Sequence, residues 1–200
     1  MPKIVDHDQR RAELGAAVRR VVARSGVDGA VRAVATEAGW SMGALRYYFG
    51  TQSELLDFAV GASLADIPAR LRRLLDEMPP GPARAQAFIE EMLPLDETRL
   101  AEARVYLAFM ARVRTDDGHP GLAEQSWHGE RHVCGMAIAD VTGAAPPTEV
   151  GQVPAHLEDE VNSLQVFVDG LTFLGATVPA RLTPAKSRAL LRARLDTLVQ

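Results

Sequence analysis

A single cysteine, Cys134, stands among 200 residues. One thiol closes no disulfide and supplies no multi-cysteine metal site. Strand character is nearly absent, because no segment sustains two-residue alternation with β-branched side chains. No run approaches the roughly 18 apolar residues that a membrane-spanning helix needs. Residues 1–9 are polar and charged and lack the apolar stretch of a secretory signal. Of the five histidines, only His128 and His132 stand four apart, and no carboxylate completes a zinc-protease motif with them. There is no nucleophile elbow, phosphate loop, internal repeat or low-complexity tract. These absences lead to the expectation of a soluble, cytoplasmic protein without metal, cofactor or membrane partner, and not an enzyme.

The net charge of −4 argues against general coating of nucleic acid, but its distribution is uneven. Residues 1–50 carry eight Lys and Arg against five Asp and Glu, whereas residues 51–200 carry 14 against 21. A small basic module therefore precedes an acidic body.

Helical periodicity recurs along the chain, and the expected fold is all-α with about nine helices. Residues 8–25 place Leu14, Ala17, Val18, Val21 and Val22 opposite a row of arginines. Short helices follow over 30–38 and 42–48. Thr51 and Glu54 form a capping box that opens a long helix, which Pro68 should kink or split. Further helices are expected over 83–93, from Glu97 under an Asp96 cap to about 114, over 121–141, over 156–177, and after a Thr183 cap to the C-terminal end. The loop 143–154 holds three prolines. The acidic run Glu158-Asp159-Glu160 reads as a solvated helix start.

Ala35, Gly39 and Leu45 carry the spacing of a helix-turn-helix. A small residue permits close crossing, a glycine takes the left-handed turn conformation, and a leucine seats the second helix. The stretch Ala44-Leu45-Arg46-Tyr47-Tyr48-Phe49-Gly50-Thr51-Gln52-Ser53-Glu54-Leu55-Leu56 and the preceding Ala33-Val34-Ala35-Thr36-Glu37-Ala38-Gly39 resemble the signature of the tetracycline-repressor (TetR) family of transcription regulators. Residues 96–109, with Val168-Asp169-Gly170-Leu171, resemble the ligand-binding domain of its betaine/choline-regulator subgroup.

The resemblance implies a helix-turn-helix DNA-binding domain over 1–50 and an effector-binding and dimerisation domain over 51–200. It implies a homodimer, paired through the two C-terminal helices, that binds a palindromic double-stranded DNA operator. A small-molecule effector would release or alter that complex, and the protein is read as a repressor. The helix that Pro68 interrupts would link module to body. Candidate DNA contacts are Arg32, Ser41, Met42, Gly43, Ala44, Arg46, Tyr47, Tyr48, Thr51 and Gln52. Arg46 either pairs with guanine or contacts phosphate, Tyr48 either contacts phosphate or packs, and Thr51 and Gln52 offer helix-terminal amides to phosphate.

Four positions depart from the family pattern, one of them Arg46, which stands where tyrosine is common and restores a positive charge. Ala30 removes a helix cap, Gln52 removes a frequent lysine, and Trp40 replaces a small aliphatic, either covering the turn or lying on the DNA backbone. Candidate effector contacts are Phe88, Met92, Tyr106, Phe109, Met110, Trp127, His128, Phe167 and Phe173, each also readable as core. Tyr106 and Trp127 would suit an aromatic cage for a cation. Cys134 reads as a buried structural thiol or a redox switch. Two alternatives stay open: a helical dimeric interaction protein with a degraded DNA-binding module, and an all-α enzyme relying on His128 and His132.

Overall fold

Asp66, Gly81, Asp96 and Thr183 precede the helix starts that build the C-terminal body. The computed structural model describes residues 14–18, 20–21, 24, 35–41, 43, 47, 49, 51, 54, 57–58, 60–61, 65–113 and 120–198. Six helices run through the body: α1 (Ile67–Glu77), α2 (Pro82–Glu90), α3 (Glu97–Val113), α4 (Pro120–Thr142), α5 (Glu158–Thr177) and α6 (Pro184–Asp196). One 3-10 turn, Ala155–Leu157, leads into α5. No helix among the described residues is long and apolar enough to cross a membrane.

Local chemistry sets most of these boundaries. The Asp96 carboxylate accepts the Arg99 amide at 2.8 Å, and the Thr183 hydroxyl oxygen accepts the Lys186 amide at 3.4 Å. Thr51 likewise accepts the Glu54 amide at 3.1 Å, as its capping role requires. Pro68 splits the long helix expected after Thr51. A turn occupies Ala65 and Asp66, and the proline lies in the first turn of α1, where its missing N–H costs nothing.

Two apolar clusters organise the chain. One joins Phe88, Ile89, Val133, Ile138, Leu164, Val168 and Leu191 from α2, α4, α5 and α6. The other joins Leu14, Val18, Val21, Ala35 and Val60 to Val105 and Phe109 of α3. Helix α3 thus belongs to the body and to the N-terminal module at once. Within the body, α4 packs on α2 and α5. Arg84 clamps α2 to α4 through two hydrogen bonds of 2.6 Å to Asp140. A Cβ at Gly175 would come within 2.7 Å of Pro94, so only glycine lets α5 approach the turn after α2 so closely.

Candidate functional site

The N-terminal module has the turn its sequence calls for. Gly39 adopts φ +67°. Its amide meets the Thr36 carbonyl at 3.2 Å, and the Trp40 amide reaches the Ala35 carbonyl at 2.8 Å. This double closure ends the helix and requires the left-handed conformation. Ala35 is buried, and Trp40, partly buried, packs against the surrounding cluster. Glu37 receives hydrogen bonds from Arg20 and Arg24, both 2.8 Å, which tie two N-terminal segments together. These guanidinium bonds, Arg24's first, hold the Glu37 carboxyl below its usual range.

Beyond the turn, Ser41, Gly43, Tyr47 and Thr51 are exposed, Tyr47 at 86%. Phe49 packs against the apolar cluster with its ring centroid 5.1 Å from that of Phe58. Arg32, Met42, Ala44, Arg46, Tyr48 and Gln52 lie outside the described residues.

A second feature lies in the body. A cavity of about 600 Å³ opens between α1, α3 and α4, within the range of small-molecule sites. Its walls are mainly apolar, including Leu71, Leu75, Met92, Leu122, Val133 and Met136. Val150, from the loop after α4, also faces it. Along α4, residues 122, 125, 126, 129, 130, 133 and 136 line it, the three-and-four spacing of one helical face.

Of the effector contacts expected from sequence, Met92 and Tyr106 line this cavity. Phe88 and Phe109 are fully buried in separate apolar clusters, and Met110 and Phe167 pack at their margins. Trp127 and His128 lie on another face of α4, stacked edge to face at 4.8 Å. Phe173 projects outward from α5, 53% exposed. Trp127 does not join Tyr106 on the cavity wall; the Arg131 guanidinium lies 4.5 Å above its ring.

Two polar groups on the cavity wall escaped the sequence reading. The first is an ion network. Arg70 of α1 donates to Glu91 at 2.5 Å and to both carboxylate oxygens of Glu102 at 3.0 and 2.8 Å. Arg99 joins Glu91 to Asp96. Glu91 and Glu102 are buried and line the cavity. The Glu102 hydrogen bonds hold the Arg70 guanidinium above its usual range.

The second is an acid pair. Glu130 of α4 faces the cavity, and Asp169 of α5, Tyr106 and Gln165 are the groups that act on its charge. Burial, reinforced by the Asp169 charge, pushes the Glu130 carboxyl up to about 8. Burial raises Asp169 as well. It also raises the Tyr106 hydroxyl and the Cys134 thiol, with the Glu130 charge adding to both. Cys134 is accordingly a buried thiol held in its neutral form. Burial lowers His132, which also lines the cavity.

The Glu130 shift has a consequence for stability. A carboxyl raised on folding stabilises the fold fully below its unfolded value of 4.5, and that contribution is lost as pH rises through about 8. Glu130→Gln removes the titration. The variant is expected to melt above the parent at alkaline pH, with the gap closing toward acid, as a pH series of thermal unfolding would record. Parallel melting curves for the two proteins at all pH values would contradict the shift.

Glu158 corrects the picture of a purely solvated acidic run. It accepts from Arg131 at 2.5 Å, and Asn162 accepts from the same buried guanidinium.

Comparison with known proteins agrees with this architecture. Residues 82–200 match the family described as the BetI-type transcriptional repressor, C-terminal domain. The HTH-type transcriptional regulator PksA of Bacillus subtilis is 30% identical over 206 residues, covering 99% of this chain and 94% of that protein. A transcriptional regulator from Rhodococcus sp. superposes with a TM-score of 0.78 at 28% identity, covering 95% of this chain and 96% of the other. A regulator from Saccharomonospora viridis, solved in complex with choline, shares the fold with a TM-score of 0.75 at 16% identity, over 94% and 96% of the two chains. A helix-turn-helix closed at Gly39, a helical body around a cavity, and these matches make this chain a TetR-family transcriptional regulator with a BetI-type C-terminal domain.

Proposed function

We propose that the chain is a repressor that binds an inverted-repeat operator as a homodimer and loses affinity when a small organic cation fills the cavity between α1, α3 and α4. The observation that carries this reading is that cavity, apolar over most of its wall and bearing three carboxyls, of Glu91, Glu102 and Glu130, against one guanidinium, of Arg72. An apolar body with a cationic head complements such a surface. The choline complex of the Saccharomonospora viridis regulator supports a cation as the chemical class.

On the DNA side, Ser41, Gly43, Tyr47 and Thr51 offer an exposed surface, and Arg32, Met42, Ala44, Arg46, Tyr48 and Gln52 complete the proposed contacts. Arg46 would read guanine or hold phosphate. Dimerisation falls to α5 and α6, whose Val166, Phe173, Leu174 and Leu190 remain exposed on the single chain. Effector binding reaches the DNA module through α3, which faces the cavity with Tyr106 and the N-terminal cluster with Val105 and Phe109. A ligand that prefers one setting of these helices shifts the population toward it.

The test is selection of bound fragments from a random DNA pool at two salt concentrations, since salt governs any such affinity. Recovery of an inverted repeat is expected. A folded dimer that enriches no sequence would overturn the reading.

A further inference from the structure

We infer that the exposed turn Glu149–Gln152, in the loop after α4, is the lid of the cavity, and that Val150 is the residue it lays on the ligand. This rests on the reading of the cavity as the effector site and adds how that site opens and what holds a ligand in.

The loop is pinned on both sides of the turn. On one side Pro147 is buried against α4, its ring 3.1 Å from where a Cβ at Gly135 would stand. On the other, Val153 packs against the apolar cluster of the body. Between these anchors, residues 148–152 are all exposed. The turn is bonded within itself. The Gln152 amide donates to the Glu149 carbonyl at 3.2 Å, and the Gln152 side-chain amide donates to the Glu149 carboxylate at 2.5 Å. It can swing on its anchors and keep both bonds.

Two contacts seat the turn on the body. Val150 contributes to the cavity wall while remaining 61% exposed. Gly151 lies over the His128 ring, where a Cβ would stand 3.2 Å from Nδ1 and 3.5 Å from Cγ. Its φ of +90° is a conformation that glycine takes without steric cost.

This seat is incompletely bonded. The His128 Nδ1 beneath Gly151 is buried with no hydrogen-bond partner among the described residues, and so is the Nδ1 of His132 on the cavity wall. A buried polar atom without a partner is costly, and lifting the turn returns the His128 nitrogen to water. The protein alone therefore holds the lid weakly. A ligand in the cavity supplies the apolar contact that Val150 lacks, so closing over it removes further apolar surface from water. Binding shifts the turn toward its seat.

The experiment measures how fast octyltrimethylammonium enters and leaves the full-length protein, from the NMR line shape of its trimethylammonium signal. Gly151 and Gln152 stand off the cavity wall, so changing either alters the lid without removing a ligand contact. Gly151→Ala sets a Cβ against His128 in a strained backbone and should raise the association and dissociation rates together by about tenfold, leaving affinity within about threefold of the parent. Gln152→Ala cuts one bond of the exposed turn and should move both rates the same way by about threefold, which carries the test should Gly151→Ala fail to fold. Val150→Ser should instead weaken binding about tenfold, through dissociation. Binding with both rates unchanged in Gly151→Ala and Gln152→Ala, or with dissociation alone altered, would overturn the lid and leave the cation site standing. If neutral octan-1-ol bound with the paired rate changes and the ammonium ion did not bind, the cation reading would fall and the lid would stand. If neither bound the folded protein, both would fall.

Discussion

Arg70→Met is expected to destabilise the protein by about 3 kcal/mol, the usual result of removing one partner from a buried ion pair. The site explains the size. Arg70 is the group that neutralises Glu102, whose side chain is 9% exposed, while Glu91 keeps Arg99 at 2.5 Å. The variant leaves Glu102 buried with no cation in hydrogen-bond reach, so that carboxyl must take up a proton or draw in water. For a chain of this size the melting temperature should fall by roughly 6–12 °C. Arg70→Met with Glu102→Leu removes both charges and should recover most of the loss, because apolar replacement of a whole buried pair is close to neutral. Thermal unfolding of the single and double variants measures this. A single variant within about 0.5 kcal/mol of the parent would show that the network is solvated and weak. The double variant also separates stability from signalling. Arg70–Glu102 joins α1 to α3, and α3 carries Val105 and Phe109 into the N-terminal cluster. A stable double variant that binds operator and still binds ligand, yet no longer responds to it, is the expected outcome if that link transmits the signal.

What the sequence discloses here is mostly what neighbouring residues decide among themselves. Gly39 at φ +67°, Thr51 over Glu54, Asp96 over Arg99 and Thr183 over Lys186 are contacts within three or four residues, so their pattern is visible in one dimension. Pro68 marks a helix boundary for the same reason, although whether it kinks or splits the helix depends on the turn before it. The cavity is different. Arg70 meets Glu102 across 32 positions, and the Asp169 charge acts on Glu130 from another helix. No local rule pairs them. Aromatic residues suggest ligand contacts, yet Phe88 and Phe109 serve the core, because burial of large rings stabilises any helical body, and Trp127 lies off the cavity wall. A better signal lay along α4. The face Leu122, Gln125, Ser126, Gly129, Glu130, Val133, Met136 sets two small residues, Ser126 and Gly129, and one carboxyl among the apolar Leu122, Val133 and Met136. Small residues leave space, and a carboxyl on such a stripe is costly unless something answers it.

The exposed face of α5 leads to the second large expected effect. Val166 is 72% exposed, Phe173 53% and Leu174 46%, and their spacing of seven and eight residues puts them on one side of the helix. Leu190 of α6, 46% exposed, adds to the apolar surface of the same helix pair. Apolar surface of this kind marks an interaction site, and a second copy would satisfy it symmetrically as a four-helix bundle, the interface proposed above. Phe173→Glu combined with Val166→Glu places charges where two subunits would meet. Desolvating those carboxylates without partners opposes association, while the monomer loses little, since both side chains are already open to solvent. Sedimentation should therefore show a folded monomer with a nearly unchanged melting temperature. Operator affinity should fall by about 10²–10⁴-fold, because a lone recognition module forfeits the effective concentration that a tethered second one provides. A single half-site should bind the variant and the parent alike. Retention of the dimer by the double variant would move the interface elsewhere. Monomers that held full operator affinity would instead separate DNA recognition from dimerisation, and the inverted-repeat geometry would have to come from assembly on the DNA itself.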